Sequence, residues 1–175
     1  MARPPRRPSS GGSSRASRSW RKEPGLPRIV REARVAWEGT VSRGAGVVSA
    51  SSSGAFELPV TIASRVGDPE GKTSPEELLA AAHATCFVTS LGSELASAGT
   101  PSEQLEVLCT ITMDEVAGMG HRIVSSAISA RGSAPGANAA SFAQAAEAAD
   151  AGCPFSALIK ASATVTVQAT LEEGS

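Results

Sequence analysis

Hydrophobic and polar residues alternate along several stretches of the chain with the period of a β-strand. Ala33, Val35 and Trp37 occupy alternate positions and are followed by a glycine-rich turn at 43–46, a pattern typical of a strand and the start of a hairpin. Such runs place their apolar side chains on one face of a half-buried sheet. The remaining strands are predicted at about 46–52, 56–63, 105–113, 121–131 and 162–171.

The segment from Ser74 to Gly99 has the pattern of a long helix instead. Ser74 suits the N-cap, Pro75 the first helical position, and the Glu77 carboxylate can reach back to the cap, while Gly99 is a typical C-terminal stop. The residues between are apolar or alanine on nearly all sides. This distribution predicts a central, buried helix.

A second alanine-rich helix follows the turn-forming APGAN segment at 134–138. Ser141 and Gln144 have the spacing of a capping box there, and the AGCP segment at 151–154 ends this helix and can open another short one. The predicted order is therefore β-β-β-α-β-β-α-β. Helices set between antiparallel-looking strand pairs indicate an α+β fold and argue against a doubly wound sheet.

Charge is distributed unevenly over the 175 residues, although the net charge is only -1. Residues 1–28 contain eight Arg or Lys and a single Glu, together with many Pro, Ser and Gly. Such a segment buries too little apolar surface to order itself, so we predict a disordered basic tail over 1–31 and a folded domain over 32–175. The tail is a solvated extension, an organelle transit peptide or a polyanion-binding arm.

The folded part is acidic, which disfavours nucleic-acid binding. Only 3% of residues are aromatic, so a platform for stacking bases is not expected. No uninterrupted apolar run approaches the ~18 residues of a membrane-spanning helix, which predicts a protein without a membrane partner.

The three cysteines lie in different surroundings. Cys109 lies in an apolar strand face and is expected to be a core residue. Cys86 lies inside the long helix, one turn beyond His83, where position alone does not lower the pKa of a thiol. Cys153 precedes Pro154 and would cap a helix there, which favours the thiolate. The residues alone leave open whether one thiol, two, or a pair is reactive.

The histidines do not suggest a metal site. His83 and His121 have no cysteine or histidine at the spacing of a zinc site, so we expect packing or surface roles for them and no bound metal.

Two cysteine motifs resemble those of the OsmC/Ohr family, the osmotically inducible protein C and organic hydroperoxide resistance proteins. The first is TSPEELLAAAHATCF at 73–87, and the second, AGCPFS at 151–156, places its cysteine 67 residues after Cys86. The similarity extends from about Ala33 to the end of the chain. His83 is similar to the OsmC branch, because the Ohr branch usually has Tyr there, and Thr85 departs from the usual Ala.

The resemblance implies a thiol peroxidase that reduces organic hydroperoxides in oxidative or osmotic stress defence. Cys86 would be the peroxidatic thiol and become a sulfenic acid, and Cys153 would be the resolving thiol that captures it as a disulfide. An external dithiol, such as a lipoyl-type one, would reduce the disulfide, without metal, haem or flavin. The apolar residues near Cys86, namely Leu79, Phe87 and Val88, suit a substrate with a hydrocarbon body.

Two further expectations concern alternatives and location. The alternative function is an OsmC-fold module that binds a small molecule or lipid without peroxide turnover. Reactive cysteines and the lack of a secretory signal predict a cytoplasmic protein.

By the same resemblance, the fold is an intertwined homodimer in which Arg65 stabilises the Cys86 thiolate and Glu76 orients Arg65. Glu76 precedes Cys86 by ten residues, a rise of about 15 Å on one helix, which exceeds the reach of a Glu side chain. We therefore expect Glu76 to serve Cys86 across a two-fold axis. From the residues alone, Arg65 is more simply a surface cation paired with Asp68 or Glu70.

Overall fold

The elements follow the predicted order, with two short helices added. The computed structural model describes residues 28–172, and the chain divides into two units, Met1–Arg31 and Glu32–Ser175. Of the disordered tail predicted over 1–31, residues 1–27 lie outside the described residues, and 28–31 have no regular secondary structure. The elements are β1 (Arg34–Glu38), β2 (Ala45–Ser49), β3 (Glu57–Val60), α1 (Ile62–Val66), α2 (Pro75–Ser97), β4 (Gln104–Val116), β5 (Gly120–Ser133), α3 (Ala139–Gly152), α4 (Pro154–Lys160) and β6 (Thr164–Leu171).

The strands form two sheets of three, and the helices cover the second. In the first sheet β1, β2 and β3 are antiparallel neighbours. In the second, β4 and β5 form a long antiparallel pair with a register shift between Thr112 and Met113, and β6 joins β5 in parallel. The parallel pairing requires a crossover, which α3 and α4 provide. The α+β prediction is confirmed.

Helix α2 begins and ends where the sequence predicts. The Ser74 hydroxyl accepts the backbone N–H of Glu77 at 3.1 Å, with Pro75 in the first helical position. The Glu77 carboxylate does not reach back to the cap, because it accepts the Thr73 hydroxyl at 2.8 Å instead. At the other end Gly99 takes a positive φ of 80°, which glycine adopts without steric cost.

Helix α3 starts earlier than predicted. Its N-cap is Asn138, whose side chain accepts the backbone N–H of Ser141 at 2.9 Å, while the Ser141 hydroxyl accepts the N–H of Asn138. The predicted capping box of Ser141 and Gln144 is therefore wrong. Asn138 supplies a cap directly after the preceding turn, so the helix begins one turn earlier.

The core lies between one face of α2, helix α3 and the second sheet. The α2 residues recur every four positions, which is the period of a helix face. They are His83, Phe87, Leu91 and Leu95, and they pack with Phe142, Ala145, Ala146 and Ala149 of α3 and with Ile128 and Ala130 of β5.

The opposite face of α2 is only partly covered within a single chain. An 18-residue window of α2 has a mean hydropathy of 1.2, enough to cross a membrane by length and composition, yet only 22% of it is buried. Core helices of soluble proteins pass the same test. The sequence predicts that α2 is buried on nearly all sides. Within one chain this is true only of the face that packs against α3 and the second sheet. Large apolar residues of the first sheet are also exposed, among them Val35, Trp37 and Val47. The half-buried face predicted for the first strand is therefore wrong within a single chain, where β1 is exposed throughout.

Candidate active site

Cys86 and Cys153 meet at the centre of the candidate site. Their sulfurs are 2.9 Å apart, and both thiols are free. Cys86 is half-buried on α2, whereas Cys153 is only 1% exposed and joins α3 to α4. A disulfide requires about 2.05 Å between sulfurs, so a shift of less than about 1 Å would join them.

The junction at Cys153 follows from Pro154. Proline occupies the first position of α4, and Cys153 is its N-cap with an extended backbone (φ -77°, ψ 116°), as predicted. The Cys153 thiol makes no capping hydrogen bond, however. The backbone N–H of Phe155, in the first turn of α4, instead acts to lower the pKa of the Cys86 thiol. The expectation that the start of α4 activates Cys153 stays a prediction.

The environment of Cys86 opposes its ionisation within one chain. Burial raises the pKa of the Cys86 thiol, and the hydrogen bond with Cys153 raises it further. Donation from the Phe155 N–H and the Ser90 side chain lowers the pKa but does not cancel these effects. A peroxidatic thiolate at this position would need an additional positive charge.

A cleft of about 600 Å³ opens beside Cys86. It is not formed by the residues expected from the sequence, since Phe87 is fully buried in the core on another face of α2. The cleft instead lies between α2, the first sheet and α4. Its lining is Ala33, Val48, Phe56, Leu78, Ala81, Ala82, Thr85, Cys86, Thr89 and Phe155.

Arg65 and Glu76 form a second pair. The Arg65 Nη2 lies 2.6 Å from Glu76 Oε1, and its Nε lies 3.2 Å from both carboxylate oxygens. The hydrogen bond from Arg65 holds the pKa of the Glu76 carboxyl below its usual value, and that of Arg65 is raised. Glu70, one of the alternative partners for Arg65, instead lies 3.5 Å from Lys72.

The two pairs occupy different places in the chain. Arg65 is at the end of α1 and Glu76 in the first turn of α2, where Arg65 Nη2 also lies 3.7 Å from the Met113 sulfur. Cys86 lies ten residues further along α2, a rise of about 15 Å. The structure thus brings together Cys86 with Cys153 and Arg65 with Glu76, without joining the two pairs within one chain.

Sequence reasoning missed two groups that lower the pKa of Cys86. Ser90 lies one turn after Cys86 on α2, and this i+4 spacing is a signal that could have identified it. The Phe155 N–H depends on how α4 docks, and no local pattern reports that. Within residues 28–172, no three His, Cys, Asp or Glu side chains cluster as a metal site would require.

Comparison with known proteins identifies relatives over most of the chain. The family profile described as OsmC-like protein matches residues 67–168. Peroxiredoxin OsmC of Escherichia coli (strain K12) is 34% identical over 140 residues, which cover 80% of this chain and 96% of that protein. The resemblance to the OsmC/Ohr family is confirmed.

Solved structures show the same fold at lower identity. An organic hydroperoxide resistance protein OsmC from Legionella pneumophila superimposes with a TM-score of 0.66 at 20% identity, covering 82% of this chain and 99% of its own. The organic hydroperoxide resistance protein OhrB of Bacillus subtilis gives 0.61 at 16% identity, covering 79% and 98%. From the profile match and the Escherichia coli relative together, this chain belongs to the OsmC-like family.

Proposed function

We propose that this protein is a thiol peroxidase that reduces organic hydroperoxides to alcohols with Cys86 and Cys153. The observation that carries the proposal is the 2.9 Å separation of the two sulfurs, in a chain of a family with relatives named peroxiredoxin and organic hydroperoxide resistance protein. The two thiols come from the two most distinctive motifs of the sequence.

In the first step, the Cys86 thiolate attacks the distal oxygen of the hydroperoxide. The O–O bond breaks, the sulfur is oxidised to a sulfenic acid, and the alkoxide takes up a proton and leaves as the alcohol. The Phe155 N–H and the Ser90 side chain, which act to lower the pKa of the Cys86 thiol, would stabilise the negative charge before the attack.

In the second step, the Cys153 thiolate attacks the Cys86 sulfenic sulfur. The S–O bond breaks, the oxygen leaves as water after protonation, and the Cys86–Cys153 disulfide forms. Because the Cys153 thiol is almost fully buried and already in contact with Cys86, it would capture the sulfenic acid before a second peroxide molecule reacts.

The cycle closes when an external dithiol exchanges with the disulfide and is itself oxidised. Both protein thiols are then restored, so the proposed cycle needs no resident metal, haem or flavin. A lipoyl-type dithiol is the proposed reductant, and the cytoplasm is the proposed location.

The cleft beside Cys86 supports a substrate with a hydrocarbon body. Most of its lining is apolar, with Phe56, Leu78 and Phe155 as the largest residues. Burying an alkyl or aryl group there contributes about 25 cal/mol per Å² of apolar surface. Hydrogen peroxide has no such group and would react less efficiently.

The charge that Cys86 lacks would come from a second copy of the chain. Glu76 is too far along α2 to serve Cys86, Arg65 of α1 is paired with Glu76, and one face of α2 is left partly covered. An antiparallel pairing of two α2 helices would bring the partner subunit's Arg65 beside Cys86 and create two equivalent sites.

The function is tested by adding cumene hydroperoxide to the reduced full-length chain and titrating thiols over time. A peroxidase loses two thiols per chain rapidly and turns over when dihydrolipoamide is supplied. A module that only binds small molecules or lipids would retain all three thiols. Hydrogen peroxide and thioredoxin, tested in parallel, define the preferred substrate and reductant.

A further inference from the structure

A buried polar network beside the thiol pair has no role in the steps above. His83 is fully buried on α2, one turn before Cys86. Its Nδ1 lies 2.8 Å from the Ser126 hydroxyl of β5, and its Nε2 lies 2.9 Å from the Ser156 hydroxyl of α4. Both serines are also fully buried, so one imidazole links the sheet, the central helix and α4.

The surroundings of the ring favour its neutral form. Burial lowers the pKa of His83, while the negative charge of Asp150 opposes this effect only in part. A neutral imidazole has one N–H donor and one acceptor, and a hydroxyl can serve either. Two serine hydroxyls therefore satisfy both ring nitrogens without a charge in the core. The Cys109 sulfur also lies 3.8 Å from Nδ1, whereas losing the Ser156 contact would leave the buried Nε2 unpaired.

Ser156 lies in the third position of α4, three residues after Cys153. The contact with His83 thus ties the helix that begins at Cys153 to the helix that carries Cys86. Lys160, in the last turn of α4, pairs with Asp150 of α3 and holds the other end. These contacts come from separate elements, and together they restrict where the Cys153 sulfur can lie.

We propose that His83 is a positioning residue for Cys153, acting through Ser156 to hold the resolving sulfur against Cys86. The inference rests on the proposed peroxidase function and deepens it. Disulfide formation competes with a second peroxide molecule, which would oxidise the sulfenic acid to a sulfinic acid and release another alcohol. A displacement of the resolving sulfur by about 1 Å slows its attack strongly, so the His83–Ser156 contact favours resolution over irreversible oxidation.

The two serines provide a matched pair of variants. Ser156→Ala and Ser126→Ala make the same chemical change, at fully buried positions, on the two nitrogens of the same ring. Only Ser156 belongs to the helix that begins at Cys153. If His83 is merely a satisfied core residue, both variants lose some stability and their thiol chemistry stays alike.

The first readout does not depend on peroxide. The full-length chain is equilibrated with reduced and oxidised glutathione, so that Cys86 and Cys153 give two electrons and two protons to glutathione disulfide. The ratio of disulfide to dithiol protein at equilibrium gives the effective concentration of the Cys153 thiol at the Cys86 thiol. We expect it to fall about tenfold in Ser156→Ala and to stay within about twofold of the wild type in Ser126→Ala.

The second readout uses peroxide. The concentration of cumene hydroperoxide at which half of Cys86 becomes sulfinic acid during turnover, measured by mass spectrometry, should fall about tenfold in Ser156→Ala alone. Equal values in the two serine variants, by both readouts, would overturn the positioning role. If the glutathione readout differs while peroxide oxidises no thiol, the positioning role stands and the peroxidase function fails.

A second pair of variants keeps the test decisive if Ser156→Ala does not fold. His83→Gln keeps a polar atom near the position of Nε2, toward Ser156, and His83→Asn keeps one near Nδ1, toward Ser126. Gln should retain the wild-type effective concentration within about threefold, and Asn should lose about tenfold. The reverse order, or equal losses, would contradict the proposal.

Discussion

The thiol pair and the Arg65–Glu76 ion pair of this protein lie in different surroundings. Cys86 and Cys153 meet between α2 and α4 in largely apolar surroundings that raise the pKa of Cys86. Arg65 and Glu76 meet at the start of α2 and lower the pKa of the Glu76 carboxyl. One pair has two thiols without a cation, and the other has a cation without a thiol.

The difference indicates how the site is divided. Disulfide chemistry requires close sulfurs, and one chain provides them. Thiolate formation in a buried place requires a positive charge, and no hydrogen bond of Arg65 goes to a thiol in the described part of the chain. If the proposed pairing of two chains is right, substitutions in the thiol pair act within their own chain and substitutions in the ion pair act on the partner.

The largest effect is expected for Cys86→Ser. Removing the nucleophile should reduce the turnover of cumene hydroperoxide by on the order of a thousandfold or more. Steady-state consumption of the peroxide with dihydrolipoamide measures it. Cys109→Ser is the matched control, because it removes the other half-buried thiol by the same change. Turnover that survives Cys86→Ser would assign the chemistry to another group.

Cys153→Ser should separate the two chemical steps. The variant is expected to react with one equivalent of peroxide and then stop, with sulfenic and later sulfinic acid at Cys86, because no resolving thiol remains. Mass spectrometry of the Cys86 peptide detects each added oxygen. If the first reaction is lost in this variant and kept in Cys86→Ser, the roles of the two cysteines are reversed.

Arg65→Met should move the pH profile of the first step. Without the cation, the raised pKa of the buried Cys86 thiol is no longer offset, so the thiolate forms only at higher pH. We expect a loss of about tenfold to a hundredfold at pH 7 that recovers as the pH rises through the thiol pKa.

Thiolate absorbance at 240 nm as a function of pH measures this shift. Arg131→Met is the matched control, since it removes an exposed arginine that also pairs with a glutamate, Glu106, at 2.6 Å. A profile that is unchanged in Arg65→Met, or moved equally in Arg131→Met, would exclude Arg65 as the stabilising charge.

The smallest effect is expected for Cys109→Ser. From the sequence, a serine here would put a hydroxyl into an apolar layer at a cost in stability. In the structure the Cys109 sulfur lies 3.3 Å from the Ser126 hydroxyl, which offers the new hydroxyl a partner. The free energy of unfolding should therefore fall by less than about 1 kcal/mol, with turnover intact. Urea denaturation measures it, and a loss above about 3 kcal/mol would contradict this.

Much of the fold could be predicted because its signals are local. Ser74, Pro75 and Gly99 determine the ends of α2 through backbone contacts within one turn. Strand alternation predicts the alternate burial along β4 and β6, whereas β1 alternates in sequence and is exposed throughout in one chain. The start of α3 was missed because Ser141 fits a cap as well as Asn138 does. Only the docked turn decides between them.

The site was less predictable because its contacts are between distant segments. The sequence separation of 67 between Cys86 and Cys153 gives no sign that the sulfurs touch, and the resemblance supplied that pairing. The roles of Ser126 and Ser156 around His83 depend on how β5 and α4 pack on α2. Serine is common on surfaces, so nothing local marks these two as buried partners.

The division of the site between two chains is tested most directly with mixed dimers. Glu76→Ala and Cys86→Ser chains, each expected to be inactive alone, are unfolded together in equal amounts and refolded. Random pairing of the two chains makes about half of the dimers mixed. If Glu76 acts across the interface, one of the two sites in each mixed dimer works, and about a quarter of the wild-type activity returns. If the mixture stays inactive although mass spectrometry detects mixed dimers, or if a monomer turns over at the full rate, the ion pair does not serve the partner's thiol.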